Sequence, residues 1–386
     1  MTDPKYVVFP IGAAVCVLAL SYKLWDLRLN RRDPSLIALL VTFFCKAISF
    51  TFATPAVSAW VDERIGVPDI AILVTHLASV IASAAILVAL MFWVHPGPRA
   101  WRHVGTRMAV AGLFVVALVV LWVVASRPGH ARAAHYLVQN AHRPEGAAYL
   151  LLYVIAVGAG MVEIARLSLR YARLSSQAWL RWGLWVTAAG AADYLIYCLH
   201  RATAVVAPYL GLRPLGWEFV TSLTAGVGVI LFAIGLTMPS WGPRVSAAHG
   251  LARDYVACAR LYPLWRALLQ ATPELALTAS MPRTRFADWL TLRDVSYRLY
   301  RRVIEIQDAR HALRGYPPLD PPIQAEGHDV AAEASRLKAA IAAKARAERP
   351  RTGSGDGLAA PRGEDYADEV HWLVNLARAF DARGGR

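Results

Sequence analysis

Residues 182–201, WGLWVTAAGAADYLIYCLHR, form an apolar run with one carboxylate, Asp193, near its middle. About 20 apolar residues cross a hydrocarbon core about 30 Å thick as a helix, so the run predicts a membrane span with Asp193 near the bilayer centre. A charge at that depth is costly and faces a bundle interior rather than lipid. Ala189 and Gly190 precede Asp193, while Tyr197 and His200 follow at i+4 and i+7, so one face reads small, acid, phenol, imidazole. Other helices must cover that face, which predicts a polytopic bundle.

The composition changes along the chain in the same sense. Residues 1–238 carry 19 Lys and Arg with 10 Asp and Glu, against 22 and 17 in the shorter stretch 239–386. The net charge of +14 is largely loop arginine in the first part, a topology signal before a nucleic-acid one. Cys16, Cys45 and Cys198 lie inside apolar runs and Cys258 stands alone, so neither a disulfide framework nor a zinc spacing is present. The first apolar run lacks a positive start and a small-residue cleavage site, and is expected to be retained.

Seven apolar runs fall at about 6–25, 36–54, 69–94, 108–126, 147–167, 182–200 and 217–238. Placing the links after spans one, three and five inside collects eleven Lys and Arg against seven on the other side. The N-terminus is then outside and the C-terminal part cytoplasmic. Tryptophans 25, 60, 93, 101, 122, 182, 217 and 241 lie near predicted span ends, as an aromatic belt requires. The expected fold class is all-α: a seven-helix transmembrane bundle over 1–238, then a small helical cytoplasmic domain.

That second part, 239–349, should hold three helices. The first covers 244–272 and is expected to bend or restart near Pro263. The second covers 288–314, where Leu292, Val295, Leu299, Val303, Ile306 and Leu313 make an apolar stripe. Arg293, Asp294, Arg298, Arg301, Arg302, Glu305 and Asp308 are expected largely off it, as a solvated or anionic-lipid-facing surface rather than a nucleic-acid site. An alanine-rich helix covers 328–348, and 350–365 reads as a flexible linker. A last amphipathic helix begins at 366, within 366–386, and needs the other helices or a partner to cover its apolar face.

Leu261-Tyr-Pro-Leu-Trp265-Arg-Ala-Leu, Tyr297-Arg-Leu-Tyr300 through Glu305-Ile-Gln-Asp308, Glu369-Val-His-Trp372-Leu and Ala377-Arg-Ala-Phe380 resemble an actinobacterial family of seven-span membrane proteins. That family ends in a cytoplasmic domain of unknown function and is catalogued among candidate transporters. Phe52-Ala-Thr-Pro55 and the stretch from Gly66-Val-Pro-Asp69 to His76 share the resemblance. It implies the layout and a transporter label, and brings no catalytic or binding residues.

The residues themselves supply candidates. Polar side chains share helix faces in four spans: Thr42, Lys46 and Ser49; Asp69, His76, Ser79 and Ser83; Asp193, Tyr197 and His200; Glu218, Thr221 and Ser222. Lys46 sits roughly 15 Å from the inner end of its span, near the depth of Asp193, so the two are expected to pair, as a structural ion pair or as part of a ligand site. Glu163 is expected to pair with Arg166 near the membrane surface. Lys46, His76, Asp193, Tyr197, His200 and Glu218 are then the candidate binding residues of a polar pocket opening outward. His130, His135 and His142 fit no compact metal motif.

No HExxH, GxxxxGK or GxSxG motif is present, so no enzyme chemistry and no cofactor is expected. A retinal Schiff base would need a lysine in the seventh span, where there is none. Two functions remain. One is a transporter-like bundle for a small polar or anionic molecule. The other is a sensor or scaffold that couples an outer ligand to a cytosolic partner. The bilayer is the expected surrounding in either case.

Overall fold

The computed structural model describes residues 4–28, 32–94, 98–125, 143–212, 218–275, 294–316, 330–346 and 365–381. Among them are eleven α-helices and no strand. In chain order these are α1 (Lys5–Leu27), α2 (Pro34–Ala53), α3 (Pro55–Ile65), α4 (Ile70–Val94), α5 (Pro98–Ala125), α6 (Pro144–Leu174), α7 (Ala178–Val206), α8 (Glu218–Ala271), α9 (Val295–Leu313), α10 (Val330–Ala345) and α11 (Tyr366–Asp381). The chain divides into two compact units, Met1–Pro243 and Arg244–Arg386.

Local signals account for the helix starts. Helices α2, α3, α5 and α6 each open on a proline, whose missing N–H costs nothing in the first turn. Asp33 caps α2 by accepting from the Ser35 N–H at 2.9 Å. The short helix α3, absent from the expected runs, ends on Gly66 in the left-handed conformation, φ 72°. From inside α3, Asp62 accepts from the Asp69 and Ala71 N–H groups at 3.2 and 3.0 Å, capping α4 across the turn. Polar α3 residues thus serve the next span.

Six described helices are long and apolar enough to cross a membrane: α1, α2, α5, α6, α8 and most of α4. Helix α7 has the length, at 29 residues, but Asp193, His200 and its tyrosines and tryptophans hold its hydropathy down. It is nonetheless part of the first unit's core, through Leu184, Ala191, Tyr194, Tyr197, Cys198 and Val205. Helix α4 packs on α2, α5 and α6, α1 on α2, and α7 on α6.

Helices α7 and α8 meet along glycines seven residues apart on each. A Cβ on Gly183 would lie 2.7 Å from the Gly235 carbonyl oxygen, and one on Gly190 would lie 3.0 Å from the Leu231 Cβ. A Cβ on Gly235 would lie 2.5 Å from Thr187 Oγ1 and 2.8 Å from the Gly183 carbonyl oxygen. Between lipid-embedded helices, packing of this kind supplies much of the attraction, and small residues let the backbones approach.

Helix α8 continues through Pro263, so the helix does not restart there, one of the two alternatives expected at that proline. A proline removes one hydrogen bond, and the buried Leu261, Tyr262, Leu264 and Trp265 hold the helix on both sides of Pro263.

The second unit departs from expectation on its charged face. Arg302 and Glu305 are buried, not solvated. Trp265 Nε1 donates to Glu305 Oε2 at 2.6 Å, and Arg302 donates to the Cys258 carbonyl at 2.5 Å with its guanidinium 4.4 Å from the Trp265 ring centroid. Arg310, also buried, pairs with Glu333 of α10 at 2.7 Å and lies 4.7 Å from the Trp372 ring centroid of α11. Gln307 donates to Glu369 of α11 at 2.6 Å. Long arginine stems and aromatic rings let polar groups enter a helical core while remaining hydrogen-bonded. Residues 350–364 of the linker expected over 350–365, residues 288–293 of the second helix and the loop with His130, His135 and His142 lie outside the described residues.

Gly235→Ala should lower thermal stability in detergent by roughly 1–3 kcal/mol, the range for overpacking. Gly112→Ala on α5, where a Cβ meets nothing within 4 Å, should leave it unchanged. Equal unfolding midpoints for the two variants would contradict the α7–α8 packing.

Candidate functional site

Lys46 enters the first unit from α2 and is 2 % exposed. Its ammonium donates to the Tyr194 hydroxyl at 3.3 Å and lies 4.4 Å from the Tyr194 ring centroid. Among the described residues no carboxylate comes within 4.0 Å of it, so the expected pairing with Asp193 is not made. Helix geometry gives the reason. Successive residues project about 100° apart; the Tyr194 hydroxyl reaches Lys46 of α2 while its ring edge approaches Gly228 of α8, and Asp193 lies against that same glycine. There its Oδ2 is buried without a hydrogen bond, 3.0 Å from where a Cβ of Gly228 would stand.

Cys16, Cys45 and Cys198 are the other groups near the lysine, and Tyr194 links it to a chain of tyrosines. The Tyr194 and Tyr197 rings lie 5.0 Å apart, one helical turn along α7. On α4, His76 Nδ1 meets the Tyr149 hydroxyl at 2.8 Å, and its ring stacks on Tyr153 with centroids 3.7 Å apart. Tyr149 and Tyr153 are one turn apart on α6, and Tyr153 lies beside Tyr197. The buried Ser49 and Ser79 hydroxyls join α2 to α4 at 2.9 Å, and Ser79 adjoins Tyr194. Thr42 donates to its own helix, to the Ala38 carbonyl at 2.9 Å.

The structure therefore draws Lys46, His76 and Tyr197 into one aromatic cluster contributed by α2, α4, α6 and α7. His200 is one turn from Tyr197 and meets Thr221 Oγ1 of α8 at 2.8 Å. Asp193 lies against Gly228 of α8 without reaching Lys46, and the side chain of Glu218 lies outside the described residues. Glu163 meets Arg166 as expected, with Nε–Oε2 at 2.8 Å, and also Arg107 of α5 at 2.6 Å.

Tyr149, Tyr153 and Tyr194 were missed because candidates were taken from polar faces in the second, third, sixth and seventh runs, a choice that passes over the fifth run and the residue beside Asp193. Their signal was present as two pairs of phenols at helical spacing, Tyr149 with Tyr153 and Tyr194 with Tyr197, in adjacent spans. Hydroxyls, an imidazole and one ammonium on rigid helices can hold a small molecule with acceptor oxygens. Among the described residues no group of three or more His, Cys, Asp or Glu could hold a metal ion.

An all-helical membrane protein with a polar aromatic cluster in its first unit is the class these observations define. Residues 250–383, which carry the buried Trp265–Glu305 and Arg310–Glu333 contacts, match the model of a family of unknown function (DUF6545). No curated protein and no solved structure matches the chain.

Lys46→Met keeps the side chain's length and removes its charge. If Lys46 is held for a ligand, this variant should unfold at higher temperature in detergent, by roughly 1–3 kcal/mol, because an unpaired buried charge is relieved. A destabilised variant would mean that Lys46 is kept for the fold.

Proposed function

We propose that the chain is a seven-span, transporter-like membrane protein that admits a small anionic or polar molecule to the cluster around Lys46. In this reading α7 is the remaining span beside the six apolar helices, the N-terminus is outside, and residues 244–386 are cytoplasmic. The observation that carries it is a buried ammonium whose polar contact is the Tyr194 phenol and which has no counter-ion among the described residues. An anionic solute would complete what the protein leaves open, and desolvation would strengthen its attraction to Lys46.

The tyrosines fit the same role. A phenol donates to a solute oxygen while its ring faces the ammonium, so Tyr194 can stay in contact with Lys46 with and without solute. His76, fixed by Tyr149 and Tyr153, adds a neutral hydrogen-bonding group on the neighbouring helix.

Counterflow in proteoliposomes tests transport. Small carboxylates and phosphates loaded inside should drive uptake of the labelled solute by the wild type, and Lys46→Met should reduce it at least about tenfold, the effect of losing about 1.4 kcal/mol of binding. A solute that binds without counterflow would remove the transporter reading and leave that of a sensor.

A further inference from the structure

Within the second unit a groove of about 640 Å³ lies between the 249–260 stretch of α8 and the 366–374 stretch of α11. Its floor is apolar, built from Val256, Ala257, Leu299, Val370 and Val374. Side chains on both helices recur at three to five residue steps, so two helical faces stand side by side with no third element laid along them among the described residues. Large apolar groups remain open around it: Val256 is 43 % exposed, Tyr366 42 % and Tyr300 53 %, with the two tyrosine rings 6.1 Å apart. Exposed tyrosines around an apolar floor are the composition of a protein interface rather than of a solvated surface.

The two rims differ in charge. On α8, Arg253 and Arg260 line the groove with no ion pair among the described residues, and the one acid there, Asp254, accepts from Ser296 at 2.8 Å. On α11, Asp368 lines the opposite rim. Each rim also has one histidine, His249 and His371, which leaves the contrast between the rims unchanged. The surface is thus basic on one edge, apolar in the middle and acidic on the other.

We propose that this groove is the contact of a homodimer, occupied by the same face of a second copy of this chain. A two-fold axis along the middle of the groove lays the acidic α11 edge of each copy on the basic α8 edge of the other, and sets the two Val256 side chains about a groove's width apart, each facing the other copy's α11. In such an interface every contact occurs twice, so a surface with one basic and one acidic edge complements itself. A uniformly acidic partner would face Asp368, and a basic one would face both arginines. Copies held in one membrane share an orientation and a high local concentration, so a modest interface suffices.

The test uses the full chain in membranes. In a Cys45→Ser background, where the remaining native cysteines are buried, Val256→Cys treated with a short bismaleimide should give a covalent dimer that the background alone does not give. Adding Arg253→Glu and Arg260→Glu should cut the crosslinked fraction about tenfold, as like charges then face each other. Adding Asp368→Lys instead should also reduce it. Differently tagged copies of these two variants, expressed together, should crosslink to one another at near the Val256→Cys level, because both edges are again opposite in sign. Three outcomes overturn the proposal: no dimer with Val256→Cys, a dimer indifferent to the rim charges, or Val256 adducts only with another protein or with lipid. The mixed pair also separates loss of the contact from misfolding, since misfolded variants would not recover.

Discussion

A lysine in the interior of a membrane bundle must be surrounded by groups that tolerate its head. Here Lys46 is met by one tyrosine, through both hydroxyl and ring, and by no carboxylate among the described residues. That contact sets the rotation of α7 about its own axis. With the Tyr194 hydroxyl held at Lys46, its ring and the neighbouring Asp193 both lie against Gly228 of α8, which leaves room for them. The close approach of α7 and α8 along Gly183, Gly190, Gly228 and Gly235 fixes the other side of the same helix. The rotation that brings Tyr194 to Lys46 also places Tyr197 beside Tyr153, and Tyr153 holds His76 by stacking. The cluster follows from helix packing, not from loops.

The second unit handles buried charge differently. Arg310 has Glu333, and Glu305 has both Arg301 and Trp265. Arg302 is held by a carbonyl and two rings. Breaking one partner of such a pair costs about 3–5 kcal/mol, because a charge is left alone in a low-dielectric core. These contacts join α9 to α8, α10 and α11, and so hold together helices whose connecting segments are long. At the periphery of the same unit, burial and the neighbouring carboxylates Asp254 and Glu369 push the Tyr366 hydroxyl up to about 12, so it stays protonated beside the groove. The contrast sharpens the reading of Lys46. In the second unit the buried arginines meet a carboxylate or a carbonyl, whereas Lys46 meets a phenol and, among the described residues, no carboxylate.

Much of this was legible in the sequence. The apolar runs coincide with α1, α2, α4, α5, α6, α7 and the first part of α8, and all of them but α7 are long and apolar enough to cross a membrane. Lys46, His76 and Tyr197 could be picked out as inward-facing because a polar side chain at that depth has few other places to go. Matched depth was not enough to pair Lys46 with Asp193, since depth says nothing of rotation, and adjacent positions on a helix project about 100° apart. Arg302 and Glu305 were misplaced for a related reason. Periodicity sorts residues by polarity, but tryptophan and tyrosine rings can take a guanidinium or a carboxylate into a core. The stretch Tyr262 to Trp265 opposite Arg302 and Glu305 becomes informative only when the two helices are set side by side.

Thermal unfolding of the protein in lipid nanodiscs, with and without small carboxylates and phosphates, tests the central claim about Lys46 most directly. Ligand that binds the folded state raises its stability by RT ln(1 + [L]/Kd), about 2.7 kcal/mol at a hundredfold excess over Kd. The wild type should be stabilised by at least one such anion, and Lys46→Met should lose that response while still unfolding in a single transition. No response of the wild type to any of them, or the same response in Lys46→Met, would contradict an anion site at this lysine.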